Sequence, residues 1–325
     1  MGPEFPIPAL AVLGEEKARG EIAEHLAWHL QESLFLARGR LCPEGILWRL
    51  SDEVPSWGQA LSPLLWADAL ILEGAHPRLP SVWVVRRGEN TIPPEKLLAV
   101  VCEDGLPPSG FFAVPAFSPF DLEPLARLWL KVLDKTSKRP LLGLILTGGE
   151  SRRMGRDKAA LEIDGKTQIH RLLEMLSGFC DEVFISCRSE QKDDSLRRLG
   201  PQIHDLFSAG PLGGMLSAMR AHPQAAWLVL AVDLLRLQES TLAFLVDHRN
   251  PLRFATAFSG EKGLEPLCAI WEPKAREALA HFWAGGISCP KKVLDKLAIK
   301  TLLPPYPHHL DNFNTSFEWD LLVKA

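Results

Sequence analysis

The residues with the most chemistry to offer fall in one short stretch, 142–158, which reads LGLILTGGESRRMGRDK. Its apolar start, 142–146, has the length of one buried strand, and it empties into Gly148 and Gly149. Arg152, Arg153, Gly155, Asp157 and Lys158 follow. Glycines let backbone N–H groups approach phosphate oxygens closely, and a helix after such a loop aims its positive end the same way. Lys158 adds a compact charge able to reach a phosphate oxygen. A bare glycine pair beside a solvated basic run would read as a turn; strand, glycines, arginines and lysine in this order suit a polyphosphate.

A carboxylate complements that loop. Asp233 follows WLVLAV, 227–232, which is apolar throughout, as in a strand covered on both faces of a parallel sheet. A carboxylate at such a strand end, above a phosphate loop, is placed to hold Mg²⁺. Its plainer role would be a helix N-cap, but the next helical segment begins near Gln238, several residues on. Between loop and carboxylate lies IHDLFSAGPLGGMLSAMR, 203–220. There Gly210, Gly213 and Gly214 allow close approach to a ligand ahead of a helix near Leu212, or serve only as a flexible helix start.

LTGGESRRMGRDK closely resembles the signature loop of the molybdenum cofactor guanylyltransferases, within the wider nucleotidyltransferase superfamily. Asp205 before GPLGGM, and Asn312-Phe313-Asn314-Thr315, resemble two further motifs of that family. Four positions depart from it: Thr147 stands for the usual alanine, Ser186 for asparagine, and Leu234-Leu235 for threonine-proline. The resemblance covers roughly 141–322 and implies a doubly wound, mostly parallel, Rossmann-like sheet. It implies catalytic roles for Lys158, Asp233 and Arg153, and Mg²⁺ on Asp233. Nucleotide contacts would come from Leu146, Thr147, Gly148, Gly149, Lys158, Asp205 and Asp233, and acceptor contacts from Gly213, Asn312 and Asn314. The implied reaction moves GMP from GTP to molybdopterin and releases pyrophosphate. Molybdoenzymes or other cofactor-biosynthesis proteins would be further partners. Alternatives are a relative using CTP or a sugar-phosphate acceptor, and a non-catalytic cofactor-delivery scaffold.

The elements that must position these groups are also legible. Ile169, Leu172, Leu173 and Leu176 recur at helical spacing behind Thr167, a plausible cap, and 182–187 reads as a strand. Gly285-Gly286-Ile287-Ser288 before Lys291 and Lys292 suits a pterin phosphate or a plain solvated helix end. His308 and His309 lie among prolines and read as surface residues. A polar stretch, 134–140, separates two expected domains, 1–138 and 139–325. In the first, strands are expected at 9–13, 69–72, 82–85 and 97–101, and helices at 21–36 and 122–133, which together suggest a smaller α/β domain.

Residues 67–89 resemble the segment after the central strand of the molybdopterin-guanine dinucleotide accessory P-loop proteins. Where those carry G-x-x-x-x-G-K-[ST], this chain has GEEKARGEI, 14–22, with Arg19 and Gly20 in place of the lysine and hydroxyl. The resemblance implies a degenerate P-loop domain that docks or delivers cofactor without hydrolysing nucleotide. Glu73 is open between a solvated or capping carboxylate and a residual metal ligand.

Bulk properties set the outer limits. A net charge of −4 over 325 residues argues against bulk attraction to nucleic acid or acidic membranes, so an anion site must be local. Six cysteines without a C-x-x-C pair suggest neither a zinc ribbon nor a thioredoxin motif, and read as thiols of a reducing compartment. No apolar run reaches transmembrane length and the start lacks a signal pattern, so a cytoplasmic protein is expected.

Overall fold

The computed structural model describes residues 9–30, 36–42, 45–50, 69–73, 79–85, 96–102, 105, 114–137, 139–147, 157–163, 165–260 and 263–313. The chain divides into two compact units, Met1–Lys138 and Arg139–Ala325.

The first unit runs β1 (Ala9–Leu13), α1 (Glu16–Leu30), β2 (Leu36–Cys42), β3 (Gly45–Leu50), β4 (Ala69–Glu73), β5 (Ser81–Val84), β6 (Leu97–Val101), β7 (Ala116–Phe117) and α2 (Glu123–Ser137). Its sheet has the order β3-β2-β4-β1-β5-β6-β7, and among the described pairings only β2–β3 is antiparallel. Leu10, Val12, Ile71, Val82 and Val100 are fully buried, as strands covered by helices require. α1 differs from the expected 21–36. It begins at Glu16, whose acidic side chain favours a helix start, and it ends at Leu30, with Leu36 already in β2. α2 reaches Ser137, so helix takes up much of the expected 134–140 linker.

The second unit runs β8 (Leu141–Leu146), a 3₁₀ turn (Lys158–Ala160), β9 (Glu162–Ile163), β10 (Lys166–Thr167), α3 (Gln168–Ser177), β11 (Glu182–Cys187), β12 (Gln202–His204), α4 (Pro211–Ala221) and β13 (Ala226–Ala231). It continues through α5 (Glu239–Asp247), β14 (Ala255–Gly260), β15 (Gly263–Trp271), α6 (Ala275–Ala284), α7 (Pro290–Leu294) and β16 (Lys300–Leu302). The sheet order is β12-β11-β8-β13-β15-β14-β16, and among the described strands β15 alone runs against the rest. The fold is thus mixed α/β, with a sheet dominated by parallel pairings.

β8 and β13 are buried along their whole length, which explains their unbroken apolar sequences. α3 packs tightly on β8: a Cβ added to Gly143 would lie 3.2 Å from both Leu176 and Val183. From β8 the chain builds outwards to β11 and β12, then returns to β13 on the other side. A crevice therefore opens between the carboxyl ends of β8 and β13, where open α/β sheets bind ligands.

Two local expectations change. Thr167 does precede α3, but its hydroxyl pairs with His170 Nδ1 at 2.7 Å and caps no backbone N–H. His309 is buried at 3% exposure, because the turn Pro307–Leu310 carries it inward to bond Thr241 Oγ1 at 2.7 Å. Burial, reinforced by His308, keeps its pKa below the ordinary histidine value. Among the described residues no helix is long and apolar enough to cross a membrane.

Ile145 lies in the central strand at 0% exposure. Ile145→Ala should lower the unfolding free energy by about 2–5 kcal/mol, measured by urea denaturation.

Candidate active site

The site begins with strand register. Leu146 of β8 pairs opposite Ala231 of β13, and the Val232 N–H donates to the Leu146 carbonyl at 3.3 Å. Thr147 and Asp233 therefore leave the sheet side by side. Lys158 returns to the same place at the start of its 3₁₀ turn, and its Nζ lies 3.1 Å from Asp233 Oδ2. The two side chains are 14% and 23% exposed, so the pair faces a cleft and not open solvent. That cleft, about 680 Å³, is lined by Leu146, Thr147, Lys158, Ser186, Asp205 and Asp233, among others. Residues separated widely in sequence are thus gathered where the topology predicts. Gly148, Gly149, Arg153 and Asn314 lie outside the described residues.

Asp205 sits at the end of β12 and is fixed twice. Its N–H donates to the Cys187 carbonyl at 3.0 Å, and its Oδ1 accepts from the N–H groups of Phe207 and Ser208 at 2.9 and 3.2 Å. The glycines opposite are required for space. A Cβ on Gly213 would stand 2.5 Å from Asp205 Oδ1, and one on Gly214 would stand 2.5 Å from Ser186 Oγ and 2.8 Å from Leu146 Cδ2. Gly213, expected on the acceptor side, therefore abuts Asp205. Asn312 is exposed and outside the cleft lining, although the Phe313 N–H beside it donates to the Asp233 carbonyl at 3.3 Å.

The leucines after Asp233 hold its loop by burial, each at 2% exposure, with Leu235 packed on Leu161 and Phe313. Two side chains of α3 then bind the loop's carbonyls. Gln168 Nε2 donates to Leu234 O at 3.2 Å, and Arg171 donates to Leu235 O and Leu237 O at 2.9 and 3.0 Å.

Arg197 is a component that the sequence reading lacked. It is 2% exposed, forms a bidentate pair with Asp157, and contacts Asp194 Oδ1 at 3.2 Å and Thr147 Oγ1 at 3.4 Å. Burial alone would lower its pKa, but the bonds and charges of Asp157 and Asp194 outweigh that and raise it. For Asp194, burial pulls upward while the Arg197 bonds win and hold its carboxyl below the usual range. No periodicity marks Arg197; its neighbour Arg198, 61% exposed, forms a surface pair with Asp193.

A second groove, about 670 Å³, shares Ser208, Gly210, Pro211 and Leu267 with the cleft and adds Trp283, Ser288 and Lys291. Trp283 meets Phe207 edge-on at 5.2 Å.

The donor set bears on a metal. Among the described residues no group of three or more His, Cys, Asp or Glu could hold an ion alone. Mg²⁺ is commonly bound by one or two carboxylates, the remaining positions coming from phosphates and water. Asp233 alone, facing a nucleotide-sized cleft, fits an ion that arrives with a triphosphate.

The family model described as the MobA-like NTP transferase domain matches residues 143–300. A molybdenum cofactor biosynthesis bifunctional protein of Synechocystis sp. is 30% identical over 194 residues, 57% of this chain and 56% of that protein, so the chain spans little more than half its length. A probable molybdenum cofactor guanylyltransferase of Synechococcus elongatus is 31% identical over 55% of this chain and 96% of its own length. Among solved structures, molybdopterin-guanine dinucleotide biosynthesis protein A from Archaeoglobus fulgidus is 23% identical, with a TM-score of 0.47 over 57% of this chain and 100% of that one.

Two outcomes follow from the packing. Gly213→Ala should turn the Asp205 carboxylate aside and weaken nucleoside triphosphate binding about 10-fold, read by titration calorimetry. The lowered Asp194 pKa contributes stability above the ordinary carboxylate range, and that contribution is lost as pH falls through the lowered value. The urea midpoint gap between wild type and Asp194→Asn should therefore be widest near neutrality and close below about pH 4.

Proposed function

We propose, for a chain that belongs to the MobA-like NTP transferase family, that it transfers GMP from GTP to the phosphate of molybdopterin, free or molybdenum-bound, with release of pyrophosphate. The observation that carries this reading is the Lys158–Asp233 pair at 3.1 Å in the crevice between β8 and β13. A lysine and a carboxylate so placed can each take one half of a magnesium triphosphate. Asp233 would hold Mg²⁺, whose contribution there is to neutralise charge between two anionic reactants. Lys158, with Arg153 by family resemblance, would offset charge growing on the departing pyrophosphate. The acceptor phosphate is already ionised at neutral pH, so its in-line attack on the α-phosphorus needs no general base. Leu146, Thr147, Gly148, Gly149 and Asp205 would complete the nucleotide contacts.

The second groove supports an acceptor next to the nucleotide. Its shared wall would bring an incoming phosphate alongside the cleft, and Lys291 and Ser288 are suited to an anionic substituent. Gly213, Asn312 and Asn314 belong to that side of the proposal by family resemblance.

For residues 1–138 we propose an accessory role without nucleotide hydrolysis. α1 starts at Glu16, with Gly14 and Glu15 as the connection from β1, so the positions of a phosphate-cradling loop are wound into helix. Arg19 donates to Gly14 O at 3.3 Å, and Gly20 lies against the buried Glu73 carboxylate, 3.5 Å from where its Cβ would be.

Pyrophosphate release on mixing the full chain with Mg²⁺, molybdopterin and GTP, but not CTP, tests the reading. A lost charge-assisted contact costs roughly 1.5–3 kcal/mol, so Lys158→Ala should lower kcat/KM at least ~10-fold; unchanged turnover removes Lys158 from the mechanism. Asp233→Asn full chain should release no inorganic phosphate from GTP, and steady release would overturn the accessory role.

A further inference from the structure

We infer that Arg197 is a positioning residue for Lys158, acting through Asp157 to pin the turn that Lys158 opens against the end of β8. This rests on the reading that Lys158 meets the nucleotide.

A buried guanidinium has to find partners for its fixed set of donors. Arg197 finds them at the end of β8 and at the start of the 3₁₀ turn. Its Nη1 and Nη2 both reach the Asp157 carboxylate, the latter at 3.1 Å to Oδ1. Its Nε and Nη2 face Thr147, at 3.4 Å to Oγ1 and 3.4 Å to the carbonyl oxygen. Thr147 and Asp157 are the described residues on either side of 148–156. One side chain therefore ties Asp157 to the end of β8.

Thr147 and Asp157 are each tied down in turn. The Thr147 hydroxyl donates to Ser186 O at 2.8 Å, which leaves its lone pairs for Arg197. This hydroxyl stands where the family usually has alanine, so the departure has a partner. Asp157 Oδ1 also accepts from Ala159 N–H at 3.0 Å, capping the turn that Lys158 opens. With Asp157 fixed by Arg197 on one side and by the turn on the other, the backbone of Lys158 has one place to be. Its amine then meets Asp233. At 2% exposure Arg197 presents almost no surface to a ligand, which separates positioning from contact. Lysine cannot reproduce the clamp, having no planar fork.

The test is a double-mutant cycle on binding of GTP with Mg²⁺ and no acceptor, using the full chain. Arg197→Lys should weaken binding about 10-fold while Lys158 is present. In the Lys158→Ala background the same change should cost nothing further. An equal loss in both backgrounds, or wild-type affinity for Arg197→Lys, would overturn the inference and leave the cleft's assignment standing. Wild-type affinity for Lys158→Ala would sink both. Should Arg197→Lys fold poorly, Asp157→Asn removes the same pairing with little change of shape and is read by the same cycle.

Discussion

The second unit is organised around one contact between opposite charges, Lys158 with Asp233. A partly exposed pair of this kind adds little stability, about 0–1 kcal/mol. Its persistence is therefore a property of the scaffold. Register between β8 and β13 sets two chain exits side by side, and the burial of Leu234 and Leu235 fixes one of them. A magnesium triphosphate offers a cation to the carboxylate and an anion to the amine at once. Under the proposed reaction the pair would exchange these partners, held by packing that does not depend on it.

Much of this was legible in the residues. Unbroken apolar runs ending in glycines or a carboxylate identify β8 and β13, because strands buried on both faces have no room for alternation. The groups at their ends inherit a common side of the sheet. Arg197 was illegible for the opposite reason: its importance comes from a turn beyond β11 folding back onto β8, and nothing local separates it from the solvated Arg198. Gln168 and Arg171 were hidden likewise, since helical spacing marks apolar faces and is silent about polar residues that reach across to loop carbonyls. His309 misled because a proline-rich context suggests surface, while a 3₁₀ turn can carry one residue of it inward.

Departures from the family pattern take on physical meaning in the fold. Thr147 replaces a methyl by a hydroxyl and bonds both β11 and Arg197. Leu234 and Leu235 replace a rigid turn by burial and receive polar support through their carbonyls from α3.

The wall of Ser208, Gly210, Pro211 and Leu267 belongs to both hollows of the second unit. Two molecules joined across it would leave as a single elongated body, occupying both compartments until both ends let go. Under the proposed reaction, the pace of a full cycle would then be set by the exit of the finished product, and accumulation of that product would hold back fresh reactants of either kind.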